Sequence, residues 1–150
     1  MLEIFVDADG CPVKQEVYRV AQRYGLHVTV VANSRIRVPH GDWSELMVVE
    51  GRFDAVDDWI AEHVAANDIV ISADIPLAAR CLDKGARVLD PRGDAFTQDS
   101  IGEALAGRAL LAYLRELGTI AGGPAPFANR DRSRFLQRLD ETIQGLRRGG

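Results

Sequence analysis

The chain has 150 residues, 47% of them hydrophobic and 27% charged, and carries a formal net charge of −4. Those figures describe a single domain with enough apolar material for a full core, and they exclude a disordered or collagen-like chain. No window reaches the ~18 uncharged apolar residues of a membrane span, and the start, Met1 to Asp7, lacks the basic opening and long apolar run of a secretory signal, so a cytoplasmic protein is expected.

In chain order, Leu2–Val6 reads as a buried strand that ends abruptly in Asp7-Ala8-Asp9-Gly10. Pro12 suits a first helical turn, Val13, Val17, Val20, Ala21 and Tyr24 recur at helical spacing, and Gly25 ends that helix. Leu26–Val31 and Glu45–Val49 read as the second and third strands, joined through a polar loop that begins Ala32-Asn33-Ser34-Arg35. The segment Asp54–Ala66 sets Val56, Trp59, Ile60 and Val64 on one helical face, and Asp68–Ser72 is short and β-branched, the clearest strand of all. Ile75–Lys84 is helical and stops at Gly85, Arg87–Leu89 is a strand, and Asp90 to Asp94 is turn chemistry.

A long helix over Ser100–Leu117 offers Ile101, Leu105, Ala109, Ala112 and Leu117 for burial, and a glycine- and proline-bearing stretch from Gly118 to Pro126 separates it from a final helix at about Asp131–Arg147, which should bury Phe135, Leu139, Ile143 and Leu146. This order predicts one α/β domain over residues 1–150: a mostly parallel central sheet with helices on both faces, and a basic C-terminal helix within 127–150.

Two cysteines, Cys11 and Cys81, are too few for a disulfide framework or a four-Cys zinc site. The acids are more telling, because 14 of the 22 are Asp. The first, fourth and fifth strands run into Asp7 and Asp9, Asp74, and Asp90 and Asp94, and a parallel sheet gathers those strand ends along the edge where α/β folds bind ligands. Asp54, Asp57 and Asp58, opening the helix after the third strand, can reach the same edge. Asp54 and Asp74 also suit helix capping, but Asp7 lies several residues before its helix and cannot serve it.

Crowded carboxylates are costly unless a cation relieves them, and oxygen ligands without a His/Cys cluster suit Mg²⁺ or Mn²⁺. Such an edge suits phosphoester hydrolysis, with arginines for the remaining phosphates: Arg35, Arg37, Arg80 and Arg92 near the strand-end loops, and Arg130, Arg132, Arg134 and Arg138 in the last helix. Residues 127–150 hold six basic and three acidic groups, against 12 and 19 in the rest, which hints at an anionic partner for the C-terminal end. Asn33, just past the second strand, is a candidate to orient a phosphate or a water, though an Asx-turn accounts for it equally well.

Asp7-Ala8-Asp9-Gly10-Cys11-Pro12-Val13, Ser72-Ala73-Asp74-Ile75-Pro76-Leu77-Ala78, Lys84-Gly85-Ala86, and Gly123-Pro124 followed by Asp131-Arg132 and Phe135 resemble the successive blocks of the YaiI/YqxD family of bacterial proteins. That family is uncharacterised in function, and its fold is regarded as similar to PIN and NYN nuclease domains. Gly10, Val56 and Ser72 depart from its usual alanine, alanine and threonine without removing a carboxylate. The resemblance implies a PIN-like, Rossmann-like three-layer fold and a Mg²⁺- or Mn²⁺-dependent site acting on RNA. Its first aspartate matches Asp7, its helix-start acid Asp57 or Asp58, and its strand-end Ser/Thr-x-Asp Ser72 and Asp74, with Asp9 as an additional ligand. The expectation is therefore catalysis by Asp7, Asp57 and Asp74, metal ligands among Asp7, Asp9, Asp57, Asp58 and Asp74, and substrate contacts from Asn33, Ser72, Arg80, Arg92 and Arg132.

Two other readings compete. An apolar strand followed by Asp7-x-Asp9-Gly10 also resembles the opening motif of haloacid-dehalogenase-type phosphatases, with Asp7 as nucleophile, Asp9 as acid/base, and Ser72, Lys84 and Asp90 or Asp94 as the later motifs. Cys11 in place of the usual threonine and the short chain weigh against it. The third is an RNA-binding or partner-binding module without turnover, which the net charge of −4 disfavours in the absence of metal.

Overall fold

In the computed structural model, which describes residues 2–51, 54–116, 118 and 126–149, the apolar strands lie side by side in one six-stranded sheet. The elements are β1 (Glu3–Asp7), α1 (Lys14–Tyr24), β2 (His27–Ala32), β3 (Ser44–Val48), α2 (Ala55–His63), β4 (Ile69–Ile71), α3 (Ile75–Asp83), β5 (Arg87–Leu89), β6 (Ala95–Phe96), α4 (Gln98–Glu116) and α5 (Asn129–Gly149). The strand order is β3-β2-β1-β4-β5-β6, parallel except for β6. The expected mostly parallel α/β sheet with helices on both faces is therefore present. Its one addition is β6, a two-residue strand that pairs back on β5 through the turn at Asp90 to Asp94 and is too short to announce itself by alternation.

Strands buried on both faces explain why the sequence shows apolar runs rather than alternation. Ile4, Val6, Val28, Val30, Ile69, Ile71 and Leu89 pack toward α1 and α5, where Val17, Phe135, Leu139 and Ile143 meet them. Phe5, Val31, Val70 and Val88 point to the other layer, against Val56 and Ile60 of α2, Leu77 and Cys81 of α3, and Ile101 of α4. At the strands' N-terminal edge, buried Asp68 accepts backbone N–H groups of Glu3 and Ala65 through its two oxygens, pinning β1 beside β4.

Local chemistry sets the helix ends. Gly25 adopts the left-handed conformation (φ 66°) that closes α1, and Thr97 with Ser100 forms a reciprocal capping pair at the start of α4. Leu105, expected in the core, is 39% exposed: α4 is buried at its first turn through Ile101, whereas Leu105, one turn further on, faces solvent. The side chains of Ala109 and Ala112, together with Leu117 and residues 119–125 of the expected linker, lie outside the described residues.

The last helix is seated by both apolar and polar contacts. Phe135, Leu139 and Ile143 are fully buried, with Leu146 packed at the margin. Around them Tyr24 bonds to Asp140, Arg132 to Glu16 (3.0 Å), and Arg134 to Asp94 (2.7 Å). The backbone of α5 approaches Gly93 so closely that a Cβ there would lie 3.1 Å from the Arg134 carbonyl oxygen, and Gly93 also holds φ +92°. Gly93→Ala is accordingly expected to cost about 1–3 kcal/mol, read as a lower urea midpoint at unchanged m-value. An unchanged midpoint would mean that α5 is not held at this turn.

Candidate carboxylate site

The strand order reverses between β1 and β4: β1 leads through α1 to β2 on one side, while β4 leads through α3 to β5 on the other. A crevice opens outside the carboxyl ends of the strands at such a switch point. Here those ends are Asp7, the last residue of β1, and Ser72, the residue after β4, set opposite each other by the Val6 to Ile71 pairing.

Ser72 is the hub. Its hydroxyl donates to Asp7 Oδ2 at 2.8 Å and accepts the backbone N–H of Asp74 at 3.0 Å. Asp74 in turn accepts the Leu77 N–H through Oδ1 at 2.8 Å, capping α3, whose first turn contains Pro76. The sequence weighed capping against chemistry for Asp74, and the geometry gives it both positions at once: one oxygen is committed to the helix, and the carboxylate still stands next to Asp7. Asp54 precedes α2 but its side chain makes no capping bond.

Asp7 is 8% exposed and Ser72 2%. Burial pushes the Asp7 carboxyl above its ordinary range, the Ser72 hydroxyl and the Asp9 N–H oppose that shift, and the charges of Asp74 and Asp9 add to it. Asp57, in the first turn of α2, is pushed up to about 6, chiefly by burial, then by the charges of Asp74 and Asp7 and by its hydrogen bond with Asp74, with Arg80 acting in the opposite direction. Three carboxyl groups from β1, α2 and α3 thus sense one another.

Neighbouring positions on α2 diverge. Asp57 turns toward Asp74, whereas Asp58 forms an ion pair with Arg80 at 2.8 Å. Asp9 is exposed in the loop after β1, where Gly10 takes φ +65°, and it shares a cleft with Asn33, Ser34, Lys14 and Val56. Arg92, in the turn after β5, and Arg132, in the first turn of α5, are engaged around the start of α5. Arg92 pairs with Asp131 at 3.0 Å, and Arg132 donates to Glu16 and to the Pro12 carbonyl. Both guanidinium groups pack over Phe127.

Asp90 accepts the backbone N–H groups of Arg92 and Asp94 within its own turn, and Lys84 lies at the far end of α3, donating to the Glu62 carbonyl near the start of β5. Cys11 and Cys81 are buried thiols whose pKa values burial raises.

Among the described residues, no three Asp, Glu, His or Cys side chains are drawn together tightly enough to hold a metal ion as they stand. The donor set at the switch point nevertheless suits a hard cation in kind and in charge. All its donors are carboxylate oxygens, and the burial of charge that chiefly raises Asp7 and Asp57, with the like charges of their neighbours adding to it, is a penalty that a divalent ion relieves.

Fold and site together define a parallel α/β domain with a carboxylate-lined switch point. More specifically, the chain belongs to the uncharacterized BCR, YaiI/YqxD family, whose model matches residues 5–145. It is 58% identical to a UPF0178 protein of Rhodospirillum centenum over 99% of each chain, and 55% identical to a UPF0178 protein of Rhodospirillum rubrum over 99% of each chain. It is 54% identical to a UPF0178 protein of Brucella suis, over 98% of this chain and 92% of that one. No solved structure matches the chain. No helix among the described residues is long and apolar enough to cross a membrane.

Proposed function

We propose that this protein is a phosphodiesterase acting on RNA, dependent on Mg²⁺ or Mn²⁺, with its reaction centre at the β1/β4 switch point. The observation that carries the reading is the convergence of Asp7, which is buried, and Asp57 and Asp74, which are half-buried, from three separate elements on one cluster of like charge. A structural role requires no such convergence, since Asp74 alone caps α3. Asp7, Asp57 and Asp74 would hold the ion, with Asp9 at the open side of the crevice. When bound, the ion would supply an activated water and charge neutralisation at the phosphate.

The remaining work falls to the chain. Ser72 fixes the rotamer of Asp7, and the α3 cap fixes Asp74 in the same way. Asp57 must give up its proton before it can ligate, so metal affinity should weaken as pH falls below about 6. Asn33 and Ser34, at the end of β2, line the cleft beside Asp9 and are placed to contact a bound phosphate or water.

A phosphatase of the haloacid-dehalogenase type is less compatible with this geometry. Its later motifs would need Lys84 and Asp90 or Asp94 at the edge that holds Asp7. Lys84 sits at the opposite edge, Asp90 is engaged in its turn, and Asp94 is paired with Arg134.

The test is cleavage of a labelled single-stranded RNA with Mn²⁺ or Mg²⁺ added back to chelator-treated protein. Metal-dependent products are expected. Asp7→Asn or Asp74→Asn should remove at least about a hundredfold of the rate, and Ser72→Ala roughly 10–100-fold, as for a group that orients a ligand. Cleavage that survives Asp7→Asn, or no cleavage by the unaltered protein with either metal, would overturn the assignment.

A further inference from the structure

The loop from Asn33 to Trp43 has no helical or strand pattern, yet it folds against the exposed side of α1 and encloses a groove. The groove runs toward the loop that follows Asp7: the cleft containing Asp9, Lys14 and Asn33 shares Ile36 with the next stretch, which contains Tyr18, Arg35, Arg37 and His40. That stretch shares Tyr18 and His40 with a last section reaching Arg19 and Trp43. Along its whole length the fixed charges of the lining are Lys14, Arg19, Arg35 and Arg37, opposed only by Asp9 at the catalytic end.

Five other arginines of the fold, Arg23, Arg80, Arg92, Arg132 and Arg134, are already committed to carboxylates. Among the described residues Arg19, Arg35 and Arg37 pair with none, and all three are exposed. An independent observation points the same way. Tyr18 is 5% exposed, lies in the wall shared by two sections of the groove, and its hydroxyl is, among the described residues, the one buried side-chain polar atom without a hydrogen-bond partner. Burying a hydroxyl unpartnered costs about 1–3 kcal/mol, so such an atom marks a place where a further group belongs.

Resting on the hydrolytic reading of the switch point, we infer that this groove is the track for a single strand of RNA entering the carboxylate site. Arg35, Arg37 and Arg19 take its phosphates, Tyr18 hydrogen-bonds it, and the apolar floor of Ile36, Val38 and Leu46 receives its bases. A duplex hides its bases and would leave that floor uncovered. A basic groove with apolar and aromatic walls is the general solution for holding a single strand.

The test is fluorescence anisotropy of labelled oligouridylate in chelator, so that binding is read without cleavage, across a salt series. Arg35→Ala/Arg37→Ala is expected to weaken binding at least tenfold and to lower the salt slope by about 1.4, two phosphate contacts at ~0.7 each for a single strand. Tyr18→Phe should weaken it about 2–10-fold. Arg147→Ala/Arg148→Ala, removing the same charge from the end of α5, should leave it near the unaltered value.

Equal affinities for the Arg35/Arg37 and Arg147/Arg148 variants, no binding by the unaltered protein, or tighter binding of a blunt duplex would each overturn the track. Unchanged affinity in Tyr18→Phe would remove Tyr18 from it. The two proposals fail separately. Oligouridylate binding that depends on Arg35 and Arg37 without any metal-dependent cleavage retains the track and sinks the nuclease. Cleavage that depends on Asp7, with affinity indifferent to Arg35 and Arg37, does the reverse.

Discussion

Asp7→Asn is expected to stabilise the metal-free protein at neutral pH and, in the same molecule, to abolish its response to divalent cations. Asp7 is buried, and its pKa is raised because burial and the neighbouring carboxylates penalise its charged form. The sign follows from linkage. A carboxyl whose folded-state pKa exceeds its unfolded value of 3.8 favours the fold while protonated, and that contribution is lost as pH rises through the folded value. Asn is uncharged and keeps an oxygen that can accept from Ser72 and from the Asp9 N–H.

A gain of about 1–2 kcal/mol is expected from removing the buried charge, or roughly 2–8 °C in Tm for a domain of this size. Asp57 gives the same effect a visible pH window. With its pKa at about 6, the chelated protein should lose stability between about pH 4 and 7, and Asp57→Asn should flatten that loss. Saturating Mn²⁺ should raise the Tm of the unaltered protein and leave Asp7→Asn unmoved. Thermal melts of the two proteins with and without Mn²⁺ check both halves. A destabilised Asp7→Asn would mean that the carboxylate is a structural anchor rather than a strained functional group.

Phe135→Ala should produce the largest loss of stability of any single change proposed. Phe135 is fully buried between α5, α1 and the sheet, and its removal leaves a cavity at the centre of the helix's only apolar stripe. Truncating such a phenylalanine costs about 3–5 kcal/mol, or some 6–20 °C in Tm. Because Arg132 to Glu16 and Arg92 to Asp131 bridge the start of α5 to the body, loosening the helix should also speed proteolysis near residue 127. If the midpoint fell by less than about 1 kcal/mol, α5 would be an appendage and not part of the core.

What could be read from the sequence was the part governed by short-range pattern and by the rule that ligands gather at parallel strand ends. The placement of Asp7 beside Asp74 followed from strands one and four both ending in Asp, and Ser72 came with the strand-end motif. What escaped reading depended on rotation and on long-range pairing. Asp57 and Asp58 are adjacent on a helix, about 100° apart around its axis, and only the packing of α2 decides which faces Asp74 and which meets Arg80.

The excess positive charge of the last 24 residues suggested an anionic partner there; Arg132 and Arg134 are spent on Glu16 and Asp94, while Arg130, Arg138, Arg147 and Arg148 pair with no carboxylate among the described residues. Arg19, Arg35 and Arg37, which also pair with no carboxylate among the described residues, lie on either side of a groove whose outer wall is an aperiodic loop. For the same reason a net charge of −4 says little about nucleic acid here. Acidic groups gather at the β1/β4 switch point, and the lining of the loop groove is mostly basic.

The central claim, that Asp7, Asp57 and Asp74 form a divalent-cation site, is tested most directly by diffraction from crystals grown with Mn²⁺ at pH 7.5, above the Asp57 pKa. The account predicts an anomalous peak at the β1/β4 switch point, about 2.0–2.6 Å from carboxylate oxygens of Asp7 and Asp74. No peak there at saturating Mn²⁺, or one bound instead at the Glu3 and Glu45 edge of the sheet, would contradict it.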